Sequence, residues 1–507
     1  MLASWVDMSK FLLALSISAI VSAKPALEFL QRALALSDRL SSCAYSPLLG
    51  LFDEQVWQSG ATLETLANVL LLPQVPPRLS GALLTLLNTS FEKTPVIVDV
   101  RRLQHVVQRT STRAQFFPSA HAPIHPQNCF DDHQWYGLAW VRAFTATSDK
   151  RYLARAAAVF DFTAEKGWDE GVCGGGVTWC PPPTGVYKNA ITVELFISLA
   201  MALHPHAAAA GKAPAFYSDW AAKAWVWLAR PGGMVNELSL VNDGLDGATC
   251  ANNNQTTWSY NQGVLLSGLY RLGIATGDPA PLAAAQRTAA AAMQLLTING
   301  ILTEPCADGL CDADQQIFKG MFVKHLSYVL VEDAAAPAPR LAPEFVAAAS
   351  AFLAVNARSL LAADACGDGG FGLRWDGSAC DVETTATSSA ALDLLAGAAA
   401  ASAPFLPPPA WGALGVGNCE DDAGQSMNNC YRDGITFATC RAAAFSDPVG
   451  VAFDYHSDCA QGKVGFCRVR TAAVNCASSG FIFEAGAATS VTKADGSALA
   501  VCFLKGP

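Results

Sequence analysis

A chain of 507 residues, 51% hydrophobic and 15% charged, is long enough to bury a large core and too apolar to stay disordered. A formal net charge of −10, a pI near 5.3 and the lack of any Lys/Arg cluster argue against nucleic acid and anionic membrane surfaces as partners. In chain order, the first element is an address. Lys10 precedes the apolar run from Phe11 to Ala23, which is too short to span a bilayer comfortably and ends in Val21-Ser22-Ala23, a small-residue cleavage pattern. Residues 1–23 therefore read as a secretory signal peptide, with Met8 as an alternative start.

The sixteen cysteines agree with export: the number is even, there is no CxxC pair, and the histidines are too few and scattered for zinc sites, so disulfides are expected. Asn88-Thr89-Ser90 and Asn254-Gln255-Thr256 fit the glycosylation acceptor pattern. No cofactor or metal is called for. No later segment reads as a membrane anchor, and the C-terminal "ALAVCFLKGP" is too short and polar for a lipid-anchor tail.

From residue 24 to 401 the chain is helix-rich, and some helices are apolar on nearly every side, as helices inside a packed assembly are. Six share one plan, a polar or glycine-marked start followed by an apolar run. They open near "SGATLETLANVLLL" (59), "DDHQWYGLAWVRAF" (131), "KNAITVELFISLAMAL" (188), "NQGVLLSGLYRLG" (261), "KGMFVKHLSYVL" (319) and "TTATSSAALDLLAG" (384). The spacing, roughly sixty to seventy residues, leaves room for an inner helix, an outer helix and two loops. "AFTATSDKRYLARAAAVF" and "GIATGDPAPLAAAQRTAA" look like copies of one turn. Six inner and six outer helices make an all-α (α/α)6 barrel; an open solenoid is the alternative. The proline-rich stretch 402–414 reads as a linker, and residues 415–507, with seven cysteines and short alternating patterns, as a small disulfide-rich, mainly β module.

At the second helix start, Asp131 and Asp132 stand side by side. One reading is capping, with Asp131 as N-cap and Gln134 completing a capping box. The other is a carboxylate pair for glycoside chemistry, one acid protonating the leaving oxygen while the other attacks or stabilises the sugar cation. Surrounding residues favour the second. Trp135 and Tyr136 follow the pair; Trp168, Trp179, Tyr187, Trp258 and Tyr260 offer faces for pyranose rings; Asn189, Asp246, Asn261, Gln262 and Lys319 offer hydroxyl partners. All lie near loop-to-inner-helix junctions, which a barrel gathers at one end. "GDGGFG" (367–372) fits a dinucleotide pattern but follows no strand, so a disulfide-flanked loop is expected. "DGLCDAD" (308–314) lacks the glycine and glutamate of a calcium loop.

The blocks "DDHQWYGLAWVRAF", "WDEGVCGGGVTW", "YKNAITVELFISLA", "YNQGVLLSGLYRLGIATGD" and "FKGMFVKHL" resemble, in order, those of glycoside hydrolase family 76 over roughly residues 43–400. The resemblance implies an (α/α)6 barrel acting on α-1,6-linked mannose chains as a retaining endo-α-1,6-mannanase, with Asp131 as nucleophile and Asp132 as general acid/base. Its substrate would be α-mannan or another mannose-containing polysaccharide, met outside the cell or in a cell wall. Fungal relatives suggest a cell-wall transglycosylase as an alternative, and a non-catalytic glycan-binding protein is a third. Tyr136 stands where the family often has Trp, and Cys180 follows Trp179 where bacterial members tend to have a second Trp. The C-terminal module lies outside the family pattern.

Overall fold

The computed structural model describes residues 26–53, 55–72, 75–94, 129–181, 186–307, 311–362, 366, 369–378 and 380–402, and the backbone of eight strands between 411 and 505. The expected leader (1–23) and most of the proline-rich stretch lie outside the described residues. Among the described residues twelve helices follow one another: α1 (26–39), α2 (Val56–Val69), α3 (Pro77–Lys93), α4 (Phe130–Thr147), α5 (Lys150–Lys166), α6 (Ala190–Leu203), α7 (Phe216–Leu228), α8 (Ser259–Thr276), α9 (Pro279–Leu295), α10 (Phe318–Ala335), α11 (Pro343–Ala362) and α12 (Thr385–Ala401).

The even-numbered helices form the inner ring. α2 packs on α4, α4 on α6, α6 on α8, α8 on α10, α10 on α12, and α12 returns to α2, so the ring closes. Their sequences explain the placement. Every residue of α6 except Ala202 is buried, because its apolar surface has no polar side to turn to water. α5 instead buries one stripe, Tyr152, Leu153, Ala156, Ala157, Val159, Phe160 and Thr163, and belongs outside. Close approach of inner helices needs small residues. A Cβ on Gly263 of α8 would lie 2.3 Å from the Phe322 Cα of α10, and one on Gly320 of α10 would lie 2.6 Å from the Ala390 Cα of α12. The α12–α2 seam is held differently, by side-chain bonds from Thr62 to Ser389 (3.1 Å) and Thr65 to Asp393 (2.7 Å).

The suspected repeat is a real one. After α4, Ser148 takes φ +59° and Asp149 caps α5 by accepting from the Arg151 N–H, while the Thr147 hydroxyl accepts from the Asp149 N–H. After α8, Gly277 takes φ +73°, Asp278 caps α9 through the Ala280 N–H, and Thr276 plays the part of Thr147. α11 is long and apolar enough to cross a membrane by length and composition, yet it packs on α12, α10 and α9 as an outer helix.

Two-residue hairpins β1/β2 (Tyr45–Ser46, Leu51–Phe52) and β3/β4 (Thr297–Ile298, Ile301–Leu302) punctuate the helices. Beyond them come β5 (Trp411–Val416), β6 (Cys419–Glu420), β7 (Asn429–Arg432), β8 (Gly450–Asp458), β9 (Lys463–Thr471), β10 (Ile482–Glu484), β11 (Lys493–Ala494) and β12 (Ala500–Lys505). Six of these pair antiparallel in the order β10-β7-β9-β8-β12-β5, and β11 pairs with β6. β5 begins at Trp411, inside the stretch expected as linker up to 414.

Candidate active site

The first turns of the inner helices meet at one end of the ring. The Tyr136 hydroxyl of α4 donates to the Val56 carbonyl that opens α2 (2.9 Å), and the Gln134 amide of α4 donates to the Thr192 carbonyl at the start of α6 (3.0 Å). Asp131 and Asp132 lie in this first turn. Cys129 is the N-cap and contributes no side-chain bond, so the capping box expected from Asp131 and Gln134 is not formed. Asp131 accepts from the Trp179 indole at 3.0 Å and from the Asp132 N–H at 3.1 Å. Both carboxylates are half-buried.

Protein packed around the pair governs its proton affinity. Burial pushes Asp131 up to about 7 against the pull of the Trp179 and Asp132 donors. Asp132 is pushed well above the ordinary carboxylate range, first by burial, then by the charges of Asp131 and Asp314, with the Cys129 backbone pulling the other way. The pair therefore holds a proton near neutrality, and Asp132 is the better place for it.

One wall of the site is the loop that carries Trp179. Phe130 N–H donates to the Trp179 carbonyl (2.8 Å), Trp179 N–H to the Tyr187 carbonyl (2.9 Å), and Cys129 is bonded to Cys180. The loop is fixed from behind by Lys188, a buried ammonium that donates to the Asp169 and Gly176 carbonyls at 3.0 and 2.7 Å and pairs with the Asp169 carboxylate at 3.2 Å. Gly176, at φ +83°, packs so close to the Trp227 ring that a Cβ there would lie 2.4 Å from it. Cys173–Cys250 ties this loop to the next, where Asp243 accepts from the Tyr187 hydroxyl at 2.5 Å.

The inner-helix starts also share a run of aromatic contacts. Tyr260 stacks on Phe318 with centroids 3.7 Å apart, Phe318 meets Trp57 at 6.4 Å, and Trp57 meets Trp135 at 5.5 Å, a belt running from α8 through α10 and α2 to α4. Asp314, just before α10, accepts from the Trp57 indole (2.8 Å) and the Gln58 amide (2.6 Å).

The profile of Glycosyl hydrolase family 76 matches residues 35–406. The chain belongs to that family. Among curated family relatives it is 29% identical over 209 residues to mannan endo-1,6-alpha-mannosidase DFG5 of Candida albicans, covering 39% of this chain and 45% of the relative. A putative mannan endo-1,6-alpha-mannosidase of Schizosaccharomyces pombe is 26% identical over 264 residues, covering 50% and 55%. The chain spans about half the length of the curated relatives it matches. The fold is similar to an inactive variant of the α-1,6-mannanase of a Salegentibacter species, with two adjacent aspartates replaced by alanine, in complex with α-1,6-mannotetrose. The TM-score is 0.57 at 19% identity, covering 73% of this chain and 98% of that one. It is also similar to Dfg5 of Chaetomium thermophilum in complex with glucosamine, with a TM-score of 0.55 at 21% identity and coverage of 75% and 92%.

Against this family 76 scaffold the expected site residues divide. Asp131, Asp132, Trp179, Tyr187 and Tyr260 are each partly exposed, and Trp179 joins Asp131 to Tyr187, bonding the one and meeting the ring of the other at 6.2 Å. Others are corrected by burial. Trp135 and Tyr136 are 2% and 1% exposed and serve the α2–α4 contact. Asn189 caps α6 by accepting from the Thr192 hydroxyl (2.5 Å) and N–H (3.4 Å). Gln262 is buried against the Val241 N–H and carbonyl at 2.7 and 2.8 Å. Lys319 is buried, donates to the Leu373 carbonyl at 2.5 Å and lies over the Trp375 ring; burial lowers it to about 7. Asp246 is an exposed turn residue accepting from the Ala248 and Thr249 N–H groups, and Asp243 is the acid of that loop bonded to Tyr187. Asn261 is fully buried, and its amide takes no protein partner among the described residues.

Trp57, Asp243, Asp314 and Glu194 also lie at this end of the ring, with no local pattern in the sequence to mark them. Glu194, in the second turn of α6, is buried with both oxygens unpartnered among the described residues, and burial raises it well above the ordinary range. The loop around "GDGGFG" is closed by Cys366–Cys380, as expected. Cys306–Cys311 closes a short loop that ends three residues before Asp314.

Proposed function

We propose that this protein is a glycosidase cleaving α-1,6-linked mannan by a retaining, two-carboxylate mechanism. Asp131, in its ionised form, attacks the anomeric carbon, while Asp132 passes its proton to the departing glycosidic oxygen. Water, deprotonated by Asp132, then releases the glycosyl enzyme with configuration kept. The observation that carries this reading is the unequal support of two adjacent acids. Asp131 has the Trp179 indole to steady its negative charge, and Asp132 faces neighbouring carboxylates. Burial raises Asp131 to about 7 and pushes Asp132 well above the ordinary range, which supports one protonated and one ionised partner near neutrality. The names of the curated relatives, and the inactivity of a structural neighbour lacking two adjacent aspartates, support the same reading.

The partly exposed Trp179, Tyr187 and Tyr260 are its sugar-contacting aromatics. Four disulfides among the described residues of the helical part and an exposed Asn254 at an acceptor pattern support an extracellular or cell-wall site of action. Residues beyond the helical domain would form a separate module.

Purified protein incubated with linear α-1,6-mannan is expected to release new reducing ends whose first-formed anomer, followed by proton NMR, is α. No product from pH 4 to 8 would count decisively against the proposal. Transfer to an added sugar acceptor in place of reducing ends would redirect it to a transglycosylase using the same two acids.

A further inference from the structure

Trp179 reaches Asp131 by way of a helical hairpin. α4 runs away from the mouth, α5 comes back along it, and the loop after α5 crosses to the start of α4, where the Trp179 indole donates to Asp131 Oδ2 at 3.0 Å. Three attachments hold the crossing there. The Phe130 N–H donates to the Trp179 carbonyl at 2.8 Å, the Trp179 N–H donates to the Tyr187 carbonyl at 2.9 Å, and a disulfide joins Cys180 to Cys129, 51 residues back in the chain. The bridge thus links the residue after Trp179 to the N-cap of the helix whose second residue is Asp131. Cys129 gives that helix no side-chain cap bond, so its sulfur serves the loop and not the helix end. Both cysteines are 3% exposed, and neither sulfur is open to a substrate.

We propose that Cys129 and Cys180 are positioning residues for the nucleophile: their disulfide holds the Trp179 indole against the Asp131 carboxylate. The inference rests on the glycosidase reading for its purpose and on the bonded contacts for its content. The two backbone hydrogen bonds fix the Trp179 peptide, yet beside a half-exposed side chain each can be exchanged for a bond to water at little net cost. A covalent bond one residue along cannot be exchanged in that way. An indole N–H offered to a carboxylate is a charge-assisted donor whose worth depends on distance and angle, so a shift of the loop by roughly an ångström would forfeit it. The other disulfides among the described residues do not reach the pair. Cys173–Cys250 joins this loop to the next, and Cys306–Cys311 and Cys366–Cys380 each close a loop of their own.

The test is Cys129→Ala combined with Cys180→Ala, which removes the crosslink and keeps Trp179 and both acids. Two readouts separate positioning from bare stability. In wild type the indole N–H resonance of Trp179, assigned by its loss in Trp179→Phe, should move as Asp131 titrates; in the folded pair variant that movement is expected to be largely lost. Mannan turnover should fall roughly tenfold, in kcat more than in KM. Adding Trp179→Phe to the pair variant should cost no more than Trp179→Phe alone, because both act through one contact. Should the alanine pair fail to fold, Cys129→Ser with Cys180→Ala puts a good capping side chain at the start of α4 while still lacking the bridge, and the same losses are expected. A folded variant whose indole still follows Asp131 as in wild type, or losses that multiply with those of Trp179→Phe, would overturn the inference. A wild-type protein that leaves mannan uncut, while the indole signature is lost in the pair variant, would overturn the glycosidase reading and leave this inference standing.

Discussion

Two groups of acids lie inside the same ring and are neutralised in different ways. Deep between α2, α10 and α12, Glu64 and Asp393 share Lys324, each at 3.4 Å; Tyr328 donates to Glu64 at 3.1 Å and Thr65 to Asp393 at 2.7 Å. Burial alone would raise Glu64, yet Lys324 and the nearby cations hold it below the ordinary range. Asp393 is pushed by burial up to about 7, with Lys324 offsetting part of the rise. At the mouth, Asp131 and Asp132 stand side by side with no lysine between them; Asp131 accepts from the Trp179 indole and the Asp132 N–H. An acid answered by a lysine is part of the frame. An acid answered by a proton is available for chemistry.

The comparison breaks most visibly if the mouth is neutralised. Asp131→Asn or Asp132→Asn should each lower mannan turnover by roughly 10²–10⁴-fold while the far-UV dichroism stays that of wild type. If the deep cluster is frame alone, Lys324→Met should leave turnover per folded molecule unchanged and cost about 3–5 kcal/mol in urea unfolding, because two buried acids lose their cation. A loss of turnover at full folding would show that the two groups are one network.

Smaller changes sharpen the contrast. Trp179→Phe deletes a donor to a charged acceptor, worth about 1.5–3 kcal/mol, so turnover should drop roughly tenfold to a hundredfold. The indole bond lowers the proton affinity of Asp131, so its loss should move the acidic limb of the pH profile upward. The slightest effect is on stability. Asp131 has a raised affinity in the folded state, so wild type loses stability as pH rises from the unfolded carboxylate value of about 4 through the folded value of about 7. Thermal melts of Asp131→Asn should gain on wild type across that window and match it below. A gain that appears only on acidification would invert the assignment.

The frame was more legible than the site. Each inner helix begins within three residues of its expected start, since glycine, capping residues and long apolar runs are local signals. The acid pair was legible for the same reason. Its surroundings were not, because a helix buried on every side carries no stripe to tell the axis-facing positions from those facing a neighbour. Trp135, Gln262 and Lys319 therefore looked like cleft residues and proved to be packing and bonding within the wall. Asp246 and Asp243 sit three apart in one loop, and only the fold decides which one turns inward. Asp314 was hidden in a segment that resembles a failed calcium loop, and its partners Trp57 and Gln58 lie more than 250 residues away in the chain.

The polar seam between α12 and α2 has a consequence for how the molecule is made. Its bonds join residues 327 and 328 apart, so the circle stays open until α12 leaves the ribosome. Asp314 waits on α2 across a gap nearly as long. A nascent chain stalled before residue 385 would thus have Asp131 and Asp132 already made and still lack the joint that completes the ring around them.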